Sequence, residues 1–277
     1  MHNMELYLKT SYRLAEQLTR AYSTSFSVSS RLFDRAISKH IYAVYGLVRI
    51  ADEIVDTYRG RDMLETLNQL EYHTLDQLGR VDSFSTNPIV HAFVDTAKRF
   101  DIDNDLIQPF FESMRTDITK HTFTADEYKN YIYGSADVIG LMCLRIFTDG
   151  NIDEYKKLEE GAAALGSAYQ KVNFLRDIKA DFDERGRIYF PGTTFETFDD
   201  AAKDEIQVDI EADFERAHQA IQGLPSNARK AVATSYMYYW RLFQLLKKAS
   251  AEDVKSERLR IPTATKIRLY AKAKVGR

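Results

Sequence analysis

Asp52 and Asp56 stand four residues apart, and so do Asp177 and Asp181. That spacing brings both carboxylates of a pair to one face only where the backbone is helical. Like charges so placed repel by about a few tenths of a kcal/mol. Two such pairs in one chain therefore predict two helices whose acidic faces meet a cation. Hard divalent cations such as Mg²⁺ bind carboxylate oxygens and substrate phosphates together. The first reading is a helical enzyme that holds diphosphate groups through Mg²⁺.

The rest of the chain agrees with an all-α fold. Its five prolines are widely spread, its 12 glycines are sparse for 277 residues, and strand-like alternation between Asn-Gly or Asp-Gly turns is missing. Apolar periodicity predicts helices over about 3–22, 34–58, 62–80, 88–100, 104–120, 125–148, 152–183, 205–222, 226–249 and 264–274. None of the breaks between them is long or low-complexity enough to be a linker, so residues 1–277 read as one domain. A chain of this length can bury a large core.

Charge and composition narrow the partners. A net charge of −3 does not suggest nucleic acid. The one cysteine, Cys143, lies in the apolar run Ile139 to Leu144 and reads as a buried structural thiol. The N-terminus lacks a basic stretch followed by an apolar run, and no segment reaches about 18 apolar residues, so a cytoplasmic protein is expected. From Lys255 to Arg277 there are eight Lys or Arg and one acid, Glu257. This reads as a solvated basic tail or as attraction to phosphates and anionic lipid heads, and peripheral contact with the inner membrane face is expected from it.

At about 100° per residue, Asp56, Tyr45 and Arg49 fall within about 60° of Asp52, while Ile50, Ile54 and Val55 point elsewhere. Glu53 projects about 100° away. An exposed face with an Arg49–Asp52 ion pair is the plain alternative. Upstream, Tyr22-Ser23-Thr24-Ser25-Phe26-Ser27 offers hydroxyl donors to a phosphate or ordinary helix caps.

The second acidic segment carries more. On the same projection Gly166, Gln170, Asn173, Asp177 and Asp181 make one stripe about 80° wide. The stretch from Gly161 to Ala168 is rich in small residues, which lets a helix pack closely or leaves room for a chain-like ligand. Arg185 and Arg187 bracket Gly186 directly afterwards. Guanidinium groups match phosphate geometry, and a basic flap over the site is one reading. Cations placed at a helix C-terminus are the other. Asp101, Asp103, Asp105 and Glu112 mimic part of a calcium loop, but Leu106 stands where that loop needs glycine.

These residues resemble the squalene and phytoene synthase family over nearly the whole chain. The run from Gln170 to Asp181, followed by Arg187-Ile188-Tyr189-Phe190-Pro191, looks like the family's second signature. Arg49 with Ala51 to Asp56 looks like the first. Tyr22 to Ser27 resembles the N-terminal substrate-binding segment, and Tyr131 to Ala136 the middle helix lining the cavity. The look is most similar to bacterial phytoene synthases of carotenoid pathways.

The resemblance implies a single α-helical isoprenoid-synthase domain with a central cavity. Two geranylgeranyl diphosphates would join head to head through a cyclopropylcarbinyl diphosphate, and proton loss would give phytoene. The alternative is squalene or dehydrosqualene from two farnesyl diphosphates. Mg²⁺, with Mn²⁺ as a substitute, would be held by Asp52, Asp56, Asp177 and Asp181, with Asn173 beside them. NADPH is not expected. Ser23, Ser25, Phe26, Lys39, Tyr45, Arg49, Gln170, Asn173, Arg176, Arg187, Tyr189 and Arg260 are the implied diphosphate-binding residues. Tyr131 and Tyr239 join the four acids as implied catalytic residues.

Overall fold

The protein is described here by a computed structural model over residues 2–23, 29–58, 60–262, 264–266, 268 and 271. Eleven α-helices and two short π-helical turns carry the described chain. In order they are α1 (His2–Tyr22), α2 (Arg35–Asp52), a first π turn (Glu53–Thr57), α3 (Met63–Gly79), α4 (Pro88–Arg99), α5 (Asn104–Thr119) and α6 (Ala125–Ile132). A second π turn (Tyr133–Asp137) leads into α7 (Val138–Phe147), and then come α8 (Ile152–Arg185), α9 (Asp200–Gly223), α10 (Ser226–Lys248) and α11 (Ala251–Ser256). No strand occurs among the described residues.

Side-chain caps set most of these boundaries. Asp34 opens α2 by accepting from the Ala36 amide at 2.8 Å. Asn87 caps α4, with Pro88 at the first helical position where its missing N–H costs nothing. Thr124 and Glu127 form a reciprocal capping box at the start of α6. Asn151 starts α8, and Gly186, at φ +60°, ends it in the left-handed conformation that suits glycine.

The expected helices over 34–58 and 125–148 are each broken by a π turn, which periodicity does not reveal. Helix α9 begins at Asp200 because Asp199 caps it, five residues before the expected start. Helix α11 was not expected, and its signal is the Ser250–Asp253 capping box. Most of the expected helix over 264–274 lies outside the described residues. Asp101 to Glu112 forms a turn and the first half of α5, and no group of three or more His, Cys, Asp or Glu among the described residues could hold a metal ion.

Helix α8 is the spine. It packs against α7, α9, α10 and the second π turn, while α1 lies across α2 and α4. The larger apolar core joins Ile41, Leu47, Phe93, Phe110, Phe111 and Leu144, and a second one gathers Phe174, Tyr189, Phe214 and Phe243 behind α8. Each such side chain contributes about 1.5–3 kcal/mol by leaving water. The small residues of α8 bring neighbouring backbones close. A Cβ at Gly166 would lie 2.4 Å from the Ala136 carbonyl oxygen, and one at Gly161 would lie 2.1 Å from the Ala220 Cβ. Among the described residues no helix is long and apolar enough to cross a membrane.

Candidate active site

A cavity of about 800 Å³ runs between α2, α7, α8, α9 and α10. That is in the upper range for small-molecule sites. Its polar end is made by Tyr22, Ser23, Tyr45, Arg49, Gln170, Asn173, Arg176, Tyr239 and Arg258. Its other end is apolar, with Phe33, Phe147, Leu158, Ile221, Leu224 and Val232. Asn173 and Leu158 both line it from α8, and at 1.5 Å of helical rise they lie about 22 Å apart. Gly161 and Gly166 line it too, so the small-residue stretch serves both close packing and the cavity wall.

The four motif acids flank the polar end. Asp52 closes α2, and Asp56 lies in the π turn, where the Tyr58 amide reaches back five residues to the Glu53 carbonyl at 2.9 Å. A uniform helical step therefore fails beyond Asp52. Glu53, projected away from the acids, is in fact paired with Arg49, which also stands 3.9 Å from Asp52. Asp177 receives Arg176 Nε at 2.9 Å and Arg258 through Nε at 2.6 Å and Nη2 at 3.0 Å. Arg185 links the two pairs, with Nη2 3.0 Å from Asp56 and Nη1 3.8 Å from Asp181.

Every motif acid thus has an arginine neighbour, and repulsion within the pairs does not by itself call for a metal. Electrostatic strain nonetheless persists. Burial, and then the Asp56 carboxylate, push the Asp52 carboxyl up to about 8. Burial also raises Asp181 to about 7 against the opposing pull of Arg185. Asn173 adds a buried Oδ1 with no hydrogen-bond partner. Carboxylates from the ends of α2 and α8 and from the first π turn, with an orphaned amide oxygen, match the habit of Mg²⁺, which takes one or two carboxylates and completes its shell with substrate phosphates and water. The residues present fit such an ion.

The expected residues separate into three groups. Ser23, Tyr45, Arg49, Gln170, Asn173, Arg176, Tyr239 and Arg260 line the cavity. Arg49 also sits over the Tyr22 ring, 4.4 Å from its centroid. Tyr239 stacks on Tyr169 with centroids 3.9 Å apart at 16°. Tyr169, which the sequence did not single out, lines the cavity as well. Arg260 is exposed at the rim, and it is Arg258 that reaches an acid. Ser25 and Phe26 lie outside the described residues.

A second group is buried beside the site and does not line the cavity. Tyr131 donates to Asp117 at 3.0 and 2.8 Å, and Arg187 donates to Asp117 at 2.7 Å and to the Tyr189 hydroxyl at 2.8 Å. Tyr189 lies flat on Phe174, with centroids 3.8 Å apart at 7°. Arg187 is only 4% exposed, so the stretch after Gly186 is an anchored strap and not a basic flap. Asp117 was missed in the sequence. Burial raises its carboxyl to about 6 although Arg187 opposes this. Its signal was available, since it continues the apolar stripe Phe110–Met114 of α5, where an acid is out of place.

Lys39 makes up the third group. It is exposed over the ring of Tyr12, 4.8 Å from the centroid, and does not line the cavity. Ten residues of helix separate it from Arg49, about 15 Å of rise, which is why the structure does not bring it to the acids. Cys143, expected as a buried structural thiol, lines the cavity, and burial pushes its thiol up to about 12, away from the reactive thiolate.

Comparison with known proteins gives a consistent picture. A family model described as squalene/phytoene synthase matches residues 19–265. The chain is 29% identical to a phytoene synthase of Arthrospira platensis over 93% of this chain and 90% of that one. It is 27% identical to a 4,4'-diapophytoene synthase of Staphylococcus haemolyticus over 73% of this chain and 70% of that one. Among solved structures, a dehydrosqualene synthase bound to a ligand superimposes with a TM-score of 0.81 at 22% identity, covering 97% of both chains. A squalene synthase from Alicyclobacillus acidocaldarius gives 0.76 at 21% identity, over 88% of this chain and 95% of that one. The fold is the helical isoprenoid-synthase fold of these enzymes.

Proposed function

Because this chain belongs to the squalene/phytoene synthase family, whose members are prenyltransferases, we propose that it joins two C20 prenyl diphosphates head to head into phytoene with Mg²⁺. The observation that supports C20 is the length of the cavity. An extended isoprene unit spans four bonds and advances about 5 Å, given bond lengths near 1.5 Å. A C20 chain then needs about 20 Å and a C15 chain about 15 Å. The wall from Asn173 to Leu158, about 22 Å, fits the longer chain.

In this reading Asp52, Asp56, Asp177 and Asp181, with Asn173, hold Mg²⁺, which when bound draws negative charge onto the departing diphosphate. Arg49, Arg176 and Arg258 stand where they can grip the diphosphate oxygens with paired N–H donors. Tyr45 and Ser23 sit together at the same end. The stacked faces of Tyr169 and Tyr239 lie between the charged end and the apolar wall, a position from which ring quadrupoles stabilise an allylic cation. Beyond them the wall excludes water, which would otherwise quench that cation. Asp117, Tyr131, Arg187 and Tyr189 act from behind, holding the segment after α8 beneath the acids. Arg260 and Lys266 at the rim would face anionic lipid, into which a water-insoluble product is most readily delivered.

A C15 reading stands second, on the likeness to the diapophytoene synthase. Purified protein with Mg²⁺ and either C15 or C20 diphosphate, with and without NADPH, separates the two. A C40 hydrocarbon from C20 without NADPH is the expected product. A C30 product in preference to C40 would transfer the assignment to the shorter chain, and its NADPH requirement would distinguish squalene from dehydrosqualene. Folded protein that converts neither substrate would remove the reading.

A further inference from the structure

Arg185 is the guanidinium, among the described residues, that contacts acids of both pairs. Its backbone has little freedom. Gly186 N–H donates to the Phe182 carbonyl at 2.8 Å and Arg187 N–H to the Asp181 carbonyl at 3.2 Å, which is a closed helix C-cap. The Arg185 carbonyl lies 3.1 Å from His121 Nδ1, and two residues on Arg187 is anchored to Asp117. The side chain, by contrast, is 21% exposed; it reaches Asp56 at 3.0 Å and Asp181 at 3.8 Å and also donates to the Tyr189 hydroxyl. Only the arm can move.

A divalent ion takes carboxylate oxygens at about 2.1 Å for Mg²⁺. The lone pairs of Asp56 and Asp181 that face Arg185 are then contested by two cations, which also repel each other. The guanidinium has an alternative partner of matching shape in a diphosphate, and a carboxylate-bound metal does not. We propose that Arg185 is a displaceable internal cation: it holds Asp56 and Asp181 together, yields them when a divalent metal binds, and then turns to the diphosphate as a positioning residue. This makes metal and diphosphate binding cooperative through one side chain. It also separates Arg185 from Arg187, which is buried and committed to Asp117.

The inference rests on the divalent-metal reading above, and the test tells the two apart. Mn²⁺ binding to the full chain is followed by the electron paramagnetic resonance of free Mn²⁺, with and without inorganic pyrophosphate. Without pyrophosphate, Arg185→Gln should bind Mn²⁺ about fivefold tighter than wild type, the scale of one partly exposed ion pair. The enhancement of Mn²⁺ binding by pyrophosphate should shrink in the same variant. Arg185→Lys, which keeps the charge but loses the fork, should fall between the two, and it carries the test if the glutamine variant does not fold. A merely structural strap predicts the reverse, because acids released from it splay apart and bind metal more weakly. Unchanged or weaker Mn²⁺ binding by Arg185→Gln therefore overturns the proposal, as does a pyrophosphate effect equal to that of wild type. Absence of Mn²⁺ binding by every protein overturns the metal reading and this inference with it.

Discussion

The two ends of the cavity are made of opposite materials on the same helices. At the polar end, four acids and four arginines are interleaved where the last turns of α2 and α8 meet the first π turn and the segment after α11, which supply Asp56 and Arg258. At the other end, Phe33 stacks on Phe147 with centroids 5.5 Å apart, and Leu158, Ile221, Leu224 and Val232 complete an apolar wall. Charge at one end is placed to act on a leaving group, while the other end can do nothing but occupy space. Rate and product length should therefore respond to different substitutions, although about 22 Å of one helix joins them.

The largest expected effect is at the polar end. Asp177→Ala, or Asp52→Ala, should lower kcat at least about a thousandfold, the scale of losing transition-state charge stabilisation, with the helical circular dichroism intact. Full activity in either variant would remove that residue from the site. Next comes the support beneath it. Asp117→Ala strands the buried Arg187 without its carboxylate, which should cost about 3–5 kcal/mol of stability by guanidinium chloride unfolding. A change in product length instead would show that this cluster reaches the far wall, and would break the division.

At the wall, Ala162→Phe places a ring on α8 about 16 Å from Asn173, close to the length of a C15 chain. The C15 over C20 preference in kcat/KM should rise about 10- to 100-fold, in line with steric discrimination in an apolar pocket. An equal fall for both substrates would argue that the wall does not measure chain length.

The smallest effect belongs to neither end. His40 is fully buried between α1, α2 and α4, its Nδ1 2.9 Å from Thr96 Oγ1 and 3.0 Å from the Tyr12 hydroxyl. Burial lowers its pKa to about 3. The unfolded chain binds a proton there below about 6.5 and the fold does not, so stability falls as pH drops from about 6.5 toward 3. By pH 5 this single group should cost up to about 2 kcal/mol. His40→Gln should flatten that part of the stability profile without altering turnover at pH 7.5.

The contrast between the ends also explains what could be read from the chain. Charged motifs announce themselves, and the stripe from Gln170 to Asp181 was legible because α8 is regular for 34 residues. The first pair was legible as a motif but not as a shape, since the π turn from Glu53 to Thr57 changes the phase between Asp52 and Asp56. Arg185 and Arg187 look equivalent on either side of Gly186. A left-handed turn at that glycine sends one to the acids and buries the other. Of the wall, only the small-residue stretch from Gly161 was legible. Phe33, Phe147, Leu158 and Cys143 are ordinary apolar residues, and periodicity does not distinguish a side chain facing a cavity from one facing solid core.

The glycines along α8 and its neighbours have a consequence for how such a chamber can change. At Gly140 and Gly166 an added Cβ would lie 2.4 Å from a facing main-chain oxygen, and at Gly161 2.1 Å from another helix's Cβ. The bore of the passage is therefore fixed by backbones in contact, which resist adjustment. Its depth is fixed by side chains such as Phe147 and Leu158, which a single codon can shorten or enlarge. A lineage can thus retune how long a hydrocarbon it accepts while the calibre set by these backbones stays constant.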